Sequence, residues 1–289
     1  VEVHETIAGF RAALDHERSL GHSVGLVPTM GYLHDGHLSL VRAASQRCDV
    51  VAVTIFVNPL QFGANEDLAD YPRDLPRDLR LCESVATRHV FTPAVTEMYP
   101  EPSVTTVAVD SLSRTMEGAA RPTHFAGVTT VVAKLFNIAG PCAAFFGEKD
   151  YQQLAIVRRM ARDLDFPVQV VGCPIVREPD GVALSSRNVY LTPAEREAAP
   201  VLHRALQAGA ASILAGERSG AAVRRLMSDI VGAEPLARLD YAEVVRADSL
   251  DPVGELTADQ EIRLLVAAKL GAPRLLDNLG VRVPGNGSE

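Results

Sequence analysis

The sequence predicts an α/β fold, a parallel sheet covered by helices on both faces, followed by a smaller α+β domain. Two observations carry this reading. Over residues 1–175, short apolar runs of strand length alternate with segments of helical apolar spacing. From residue 176 onward the alternation stops, and helical segments are followed by strand-like runs close together. The expected domains are therefore 1–175 and 176–289, and 289 residues suffice for one large or two modest domains.

In order, VGLVPT (24–29) is a short apolar strand, SLVRAASQRCD (39–49) a helix and VVAVTIFVN (50–58) a buried strand. HVFTP (89–93) is a shorter strand. FAGVTTVVAKLFNIAG (125–140) has helical spacing through Val128, Val131, Val132, Leu135 and Phe136. AAFFGE (143–148), YQQLAIVRRMARDL (151–164) and VQVVGC (168–173) complete a strand, helix, strand series. Repetition of this unit implies parallel pairing, and such sheets bind ligands outside the carboxyl ends of their strands. In the second part, Thr192, Pro193 and Glu195 spell a helix start with a capping box. Pro200 should reset that helix, and a further helix covers Ala221 to Val231. DYAEVVRAD (240–248), EIRLLVAAKL (261–270) and PRLLDNLGV (273–281) read as strands, and the tail VPGNGSE as loose.

Composition removes several function classes. Hydrophobic residues make up 47%, enough for a full core. With 36 acidic against 28 basic side chains the formal charge is −8, which argues against nucleic acid as a partner. No apolar run reaches the roughly 18 residues a membrane helix needs. The opening VEVHETIAGFRAALDHERSLGH mixes charges throughout, so an amphipathic helix is expected there and not a secretory leader. Cys48, Cys82, Cys142 and Cys173 form no CxxC pair; reduced thiols in the cytoplasm are the expectation.

The most informative segment is VPTMGYLHDGHLSLVRAA (27–44). A strand ends, a tight turn follows, and a helix begins near Gly36. His34 and His37 are three residues apart, on one side of the first helical turn. A helix N-terminus offers unpaired N–H groups to a phosphate, and imidazoles there can donate to phosphate oxygens. Gly36 lets the backbone approach a ligand closely. Two surface histidines on a loop are the plain alternative; a zinc site has no HExxH pattern or nearby cysteine to support it. FFGEKDYQQL (145–154) leaves a strand and opens a helix, with Lys149 able to pair with phosphate as a point charge. VREPDGVALSSRN (176–188) sets Ser185, Ser186 and Arg187 in a row. FVNPLQFG (56–63) leaves the strongest strand with Asn58 and Gln61, amides suited to reading a small ligand.

His-x-Gly-His is the signature of adenylate-forming nucleotidyltransferases. PTMGYLHDGH, IFVNPLQFG, RPTHFAGV, FFGEKDYQQL and ALSSRN, in this order, resemble the pantoate–β-alanine ligase family over nearly the whole chain, least at residues 200–235. The resemblance implies a Rossmann-like doubly wound domain with a smaller C-terminal domain closing over ATP, and a homodimer. It implies pantoate, β-alanine and ATP as substrates, with Mg²⁺. It assigns ATP binding to Met30, Gly31, Tyr32, Leu33, His34, Asp35, Gly36 and His37, with His37 as proton donor. Gly147, Glu148, Lys149 and Asp150 follow, then Val176, Leu184, Ser185, Ser186 and Arg187. Catalysis is assigned to His37, His34 and Lys149. Gln61 and Gln153 are implied to hold pantoate, with Asn58 and His124 as additions, and Gln61 also to lie near β-alanine. Relatives often carry adjacent acidic residues after Tyr-Pro-Arg; here Arg77 stands beside Asp78, which weakens Asp78 as a Mg²⁺ ligand. The nearest rivals are a His-x-Gly-His enzyme acting on a phosphorylated substrate, a relative of aminoacyl-tRNA synthetases, and an ATP sensor without catalysis.

Overall fold

In the computed structural model, residues 1–63 and 68–285 are described. The chain divides into two compact units, Val1–Glu148 with Gln152–Pro174, and Lys149–Tyr151 with Ile175–Glu289. Residues 286–289 of the tail lie outside the described residues.

The first unit runs β1 (Glu2–His4), α1 (Ile7–Ser19), β2 (Val24–Thr29), α2 (Asp35–Ser45), β3 (Val50–Ile55), α3 (Leu75–Ser84), β4 (His89–Phe91), α4 (Val95–Met98), α5 (Glu117–Ala120), α6 (His124–Ala139), β5 (Cys142–Gly147), α7 (Tyr151–Asp163) and β6 (Val168–Cys173). The six strands form a sheet in the order β1-β4-β3-β2-β5-β6, with every pairing parallel. The chain moves one way from β2 through β3 to β4 and later returns to the other side of β2 as β5 and β6. That reversal is the switch point of a doubly wound sheet, where the carboxyl ends of adjacent strands open a crevice. Val27, Val53, Val90 and Phe145 from the sheet pack with Leu38 and Val41 of α2.

The strands and long helices expected from periodicity are present. Two elements differ from expectation. The first residues are not all helical: Glu2–His4 form an edge strand, and the helix starts only after Thr6, whose hydroxyl accepts Gly9 N–H at 3.1 Å. A three-residue strand is too short to show a period. Helix α3 gives no apolar stripe, because only Asp78 and Cys82 of it are buried. Asp74 caps it and Pro76 sits in its first turn. The four thiols are free; burial pushes Cys82 up to about 11 and Cys142 up to about 12.

The second unit contains α8 (Pro193–Ala198), α9 (Val201–Leu214), α10 (Gly220–Gly232), β7 (Ala237–Arg246), β8 (Glu261–Leu270) and β9 (Arg274–Arg282). The three strands form an antiparallel sheet in chain order. Thr192 and Glu195 form the expected capping box, and α9 restarts after Pro200. Leu202, Leu206, Ile213, Val223 and Met227 of the helices pack on Leu264 and Val266. No described helix is long and apolar enough to cross a membrane.

Candidate active site

The turn from β2 into α2 is built under backbone strain and held from behind. Thr29 Oγ1 donates to the Thr54 carbonyl at 2.7 Å and accepts Gly31 N–H at 3.2 Å. Gly31 has φ +82°, and a Cβ there would stand 3.0 Å from both Asp78 Oδ2 and Ile55 Cγ2. Tyr32 also has positive φ, 48°, which costs a side-chain-bearing residue about 1 kcal/mol or more. Helix α3 offsets that cost. Asp78 Oδ2 accepts Tyr32 N–H at 2.7 Å and its Oδ1 accepts Leu33 N–H at 2.8 Å. Arg77 Nη1 donates to the Leu33 carbonyl at 2.8 Å, and its guanidinium lies 5.3 Å from the Tyr32 ring centre.

Asp78 is thus seen holding the loop. It is 1% exposed, and both of its oxygens take loop amides. Burial pushes its carboxyl up, while the two amides and Arg77 pull it down. Among the described residues no His, Cys, Asp or Glu joins it in a cluster able to hold an ion. The residues present do not fit a protein-held Mg²⁺ at this position. Leu33 is held from α3 as well: its side chain is 1% exposed in the core and both its backbone groups are bound by α3.

His34 is the N-cap of α2, and its Nδ1 accepts Gly36 N–H at 3.1 Å. His37 is N3, and its Nδ1 accepts His34 N–H at 3.3 Å. The two imidazoles thus close a reciprocal capping box, with ring centres 4.0 Å apart. A ring nitrogen that accepts an amide hydrogen has its lone pair there. This network assigns the proton of each neutral ring to Nε2, as a donor on the far side of the ring. An N–H donor on each of two adjacent imidazoles, beside a positive helix end, suits an anion.

On one side of β2, the segment after β3 carries Gln61. Its amide is fixed at both ends: Oε1 accepts Asn58 Nδ2 at 3.1 Å, and Nε2 points to Met30 Sδ at 3.0 Å. Asn58, 1% exposed, also donates to the Gly127 carbonyl at 3.1 Å and accepts Tyr99 Oη–H at 2.9 Å. His124 Nδ1 lies 2.9 Å from the Gln61 carbonyl and donates to it. Asn58 and His124 are therefore seen anchoring Gln61, one through its amide and one through its backbone. Gly127 lets α6 press on this turn, since a Cβ there would come within 2.1 Å of the Leu60 carbonyl oxygen. On the other side of β2, α7 follows β5 and presents Gln153, half-buried, in its first turn. Its neighbour Gln152 is 3% exposed and structural, donating to the Leu112 and Thr115 carbonyls and accepting Glu117 N–H. The strand order β3-β2-β5 sets Gln61, the histidine turn and Gln153 at three adjacent strand ends.

In the second unit, Lys149 Nζ lies 3.3 Å from Asp150 Oδ1, and its carbonyl accepts Asn278 Nδ2 at 2.8 Å. Arg263 stacks 3.9 Å over the Tyr151 ring and binds Asn278 Oδ1 at 2.7 Å. Val176 and Leu184 face each other, with Leu184 N–H on the Val176 carbonyl at 3.0 Å. Between them Arg177 is clamped by Asp277 through bonds of 2.6 and 2.9 Å. Ser185 Oγ accepts Arg187 N–H at 3.3 Å and so caps a short helical turn, Ser186–Tyr190. Lys149 and Ser185 line one small cavity together with Asn188, His203 and Asp277. Burial first, and Arg177 second, lower the His203 imidazole, while Asp277 raises it.

Comparison with known proteins agrees over the full length. The family model described as pantoate-beta-alanine ligase matches residues 2–280. The chain belongs to the pantoate-beta-alanine ligase family. A pantothenate synthetase of Moorella thermoacetica is 52% identical over 283 residues, 98% of this chain and 99% of the relative. One from Roseiflexus castenholzii is 54% identical over 278 residues, 96% of this chain and 98% of the relative. The crystal structure of pantothenate synthetase from Thermus thermophilus superposes with a TM-score of 0.91 at 49% identity, covering 98% of this chain and 100% of that one. The Francisella tularensis pantoate-beta-alanine ligase, solved in complex with beta-gamma ATP and β-alanine, gives 0.76 at 30% identity over 96% and 97%.

Within this ligase family member, what sequence reasoning missed is the set of contacts made from behind the site. Arg77, Asp78, Tyr99, Gly127 and Gln152 hold the loops rather than face them. Only Asp78 had a sequence signal, and that signal pointed to a metal. The buried status of one acidic residue in an otherwise polar helix would have been the better clue.

Proposed function

We propose that the chain is an ATP-dependent ligase joining pantoate to β-alanine through a pantoyl-adenylate, with release of pyrophosphate and AMP. The observation that carries this reading is the His34–His37 capping box, which places the N–H of each ring on Nε2 at the N-terminus of α2. Pantoate's carboxylate is ionised at neutral pH, with an ordinary pKa of about 4, so its attack needs no base. What it needs is relief of repulsion between two anions. A carboxylate oxygen bonds to the α-phosphorus as the bond from that phosphorus to the pyrophosphate oxygen breaks. His34 and His37 donate to phosphate oxygens as charge shifts onto the leaving group. Lys149 and the Ser185–Arg187 turn are the proposed phosphate ligands of the second unit. In the second step the neutral amine of β-alanine attacks the acyl carbon; the C–N bond forms, AMP departs, and the amine loses a proton.

Gln61 and Gln153 are the proposed pantoate ligands, and Gln61 also lies nearest β-alanine in this reading. Asn58 and His124 act on pantoate through Gln61. An amide held at a fixed angle, and not a cation, favours a hydroxy acid over a phosphorylated substrate. Any Mg²⁺ that accompanies the nucleotide is proposed to ride on its phosphates. A cytoplasmic homodimer is the proposed state, from the family resemblance. Pyrophosphate–ATP exchange tests the reading: exchange should require pantoate and proceed without β-alanine. Exchange without pantoate, or none until β-alanine is added, would contradict it.

A further inference from the structure

We propose that Glu2, His4 and His89 form a binding site for one divalent transition-metal ion of the zinc type. Glu2 and His89 stand at the amino ends of β1 and β4 and His4 closes β1, at the edge of the sheet, whereas the ligase residues follow β2, β3 and β5. The parallel register sets Glu2 directly beside His89. Glu2 and His4, two apart on one strand, share a face. Helix α1 folds back over that face, stacking Phe10 on Phe91 at 4.7 Å and bringing Glu17 against His89.

The ligand atoms are already gathered. His4 Nε2 is 3.1 Å from His89 Nδ1, Glu2 Oε2 is 3.4 Å from the same nitrogen, and one donor atom from each residue lies within 4.8 Å of the other two. In a tetrahedral site with Zn–N of about 2.0–2.1 Å, neighbouring ligand atoms stand about 3.3–3.4 Å apart. A small rotation of Glu2, which is half exposed, closes the remaining gap.

The hydrogen bonds favour a cation. Glu17 is 6% exposed and its Oε1 lies 3.3 Å from His89 Nε2, so it accepts that ring's N–H and leaves the Nδ1 lone pair facing Glu2 and His4. This is the carboxylate–histidine pattern that orients metal-binding imidazoles. Glu17 is itself fixed by His22 at 2.7 Å and Arg88 at 3.5 Å, and Arg88 also meets the other Glu2 oxygen at 3.0 Å. Three acceptor atoms thus converge with one proton among them, on His4 Nε2. An ion takes that proton's place when His4 moves its hydrogen to Nδ1, with no net proton released. Two imidazoles and one carboxylate suit Zn²⁺ and its neighbours rather than Mg²⁺ or Ca²⁺. The bound ion would tie the edge strand to β4.

The test is titration of the metal-free full-length protein with Zn²⁺ by calorimetry, and with Co²⁺ by absorption. A saturable ion with tetrahedral Co²⁺ bands and a rise in Tm is expected. His4→Ala and Glu2→Gln, neither of them in the buried core, should each weaken that ion at least about 10-fold with ligase activity unchanged. Glu17→Gln should weaken it about 10–100-fold through His89. His37→Ala should leave it in place, which separates this site from the paired histidines of α2. Absence of saturable binding overturns the proposal, and so does binding that survives both His4→Ala and Glu2→Gln or vanishes in His37→Ala.

Discussion

Replacing His37 by alanine is expected to slow adenylate formation by about 10²–10³, the usual loss for one donor aimed at developing charge. The geometry makes the variant interpretable. Within the capping box, His37 Nδ1 accepts His34 N–H at 3.3 Å. Losing a cap costs about 1 kcal/mol. In a chain of this size that lowers Tm by only about 2–4 °C. Circular dichroism should therefore show a folded protein, while single-turnover measurement of the adenylate shows the rate loss. Lys149→Ala should behave alike, since the Lys149 residue is held by its backbone carbonyl on Asn278. Near-normal single-turnover adenylation in His37→Ala would remove that histidine from the mechanism.

Asp78→Ala is expected to damage both stability and rate, without touching substrate. Tyr32 and Leu33 N–H lose their acceptors in a buried setting, at about 1–3 kcal/mol each. Tyr32 keeps its positive φ only while something holds it. Release of that strain moves the loop that leads into His34. A displacement of about 1 Å at a catalytic group can cost about 10² in rate. Excess Mg²⁺ distinguishes the two roles considered for this carboxylate. If Asp78 positions the loop, raising Mg²⁺ leaves the activity of Asp78→Asn unchanged; recovery of activity with Mg²⁺ would restore the metal role.

These expectations show where the sequence was legible. The strands β2, β3 and β5 are buried apolar runs, and α6 has a clear stripe, so period and length suffice to find them. The His34–His37 turn is legible because residue type, spacing and its place after a strand all agree. Helix α3 was not legible, because it buries a carboxylate and a thiol in place of an apolar face. The role of Asp78 depends on partners 45 and 46 residues away in the chain, a distance that no local pattern carries. Asn58 and His124 were implied as pantoate contacts by the resemblance; their hydrogen bonds to Gln61, 3 and 63 residues away, were not legible. An edge strand of three residues such as β1 is visible only once β4 lies beside it.

The central claim is that pantoate's own carboxylate attacks the α-phosphorus. The most direct measurement is turnover of pantoate carrying ¹⁸O in both carboxylate oxygens, with AMP and pantothenate analysed by mass spectrometry. The account predicts one labelled oxygen in AMP and one in the pantothenate carbonyl. Unlabelled AMP from efficient turnover would contradict it.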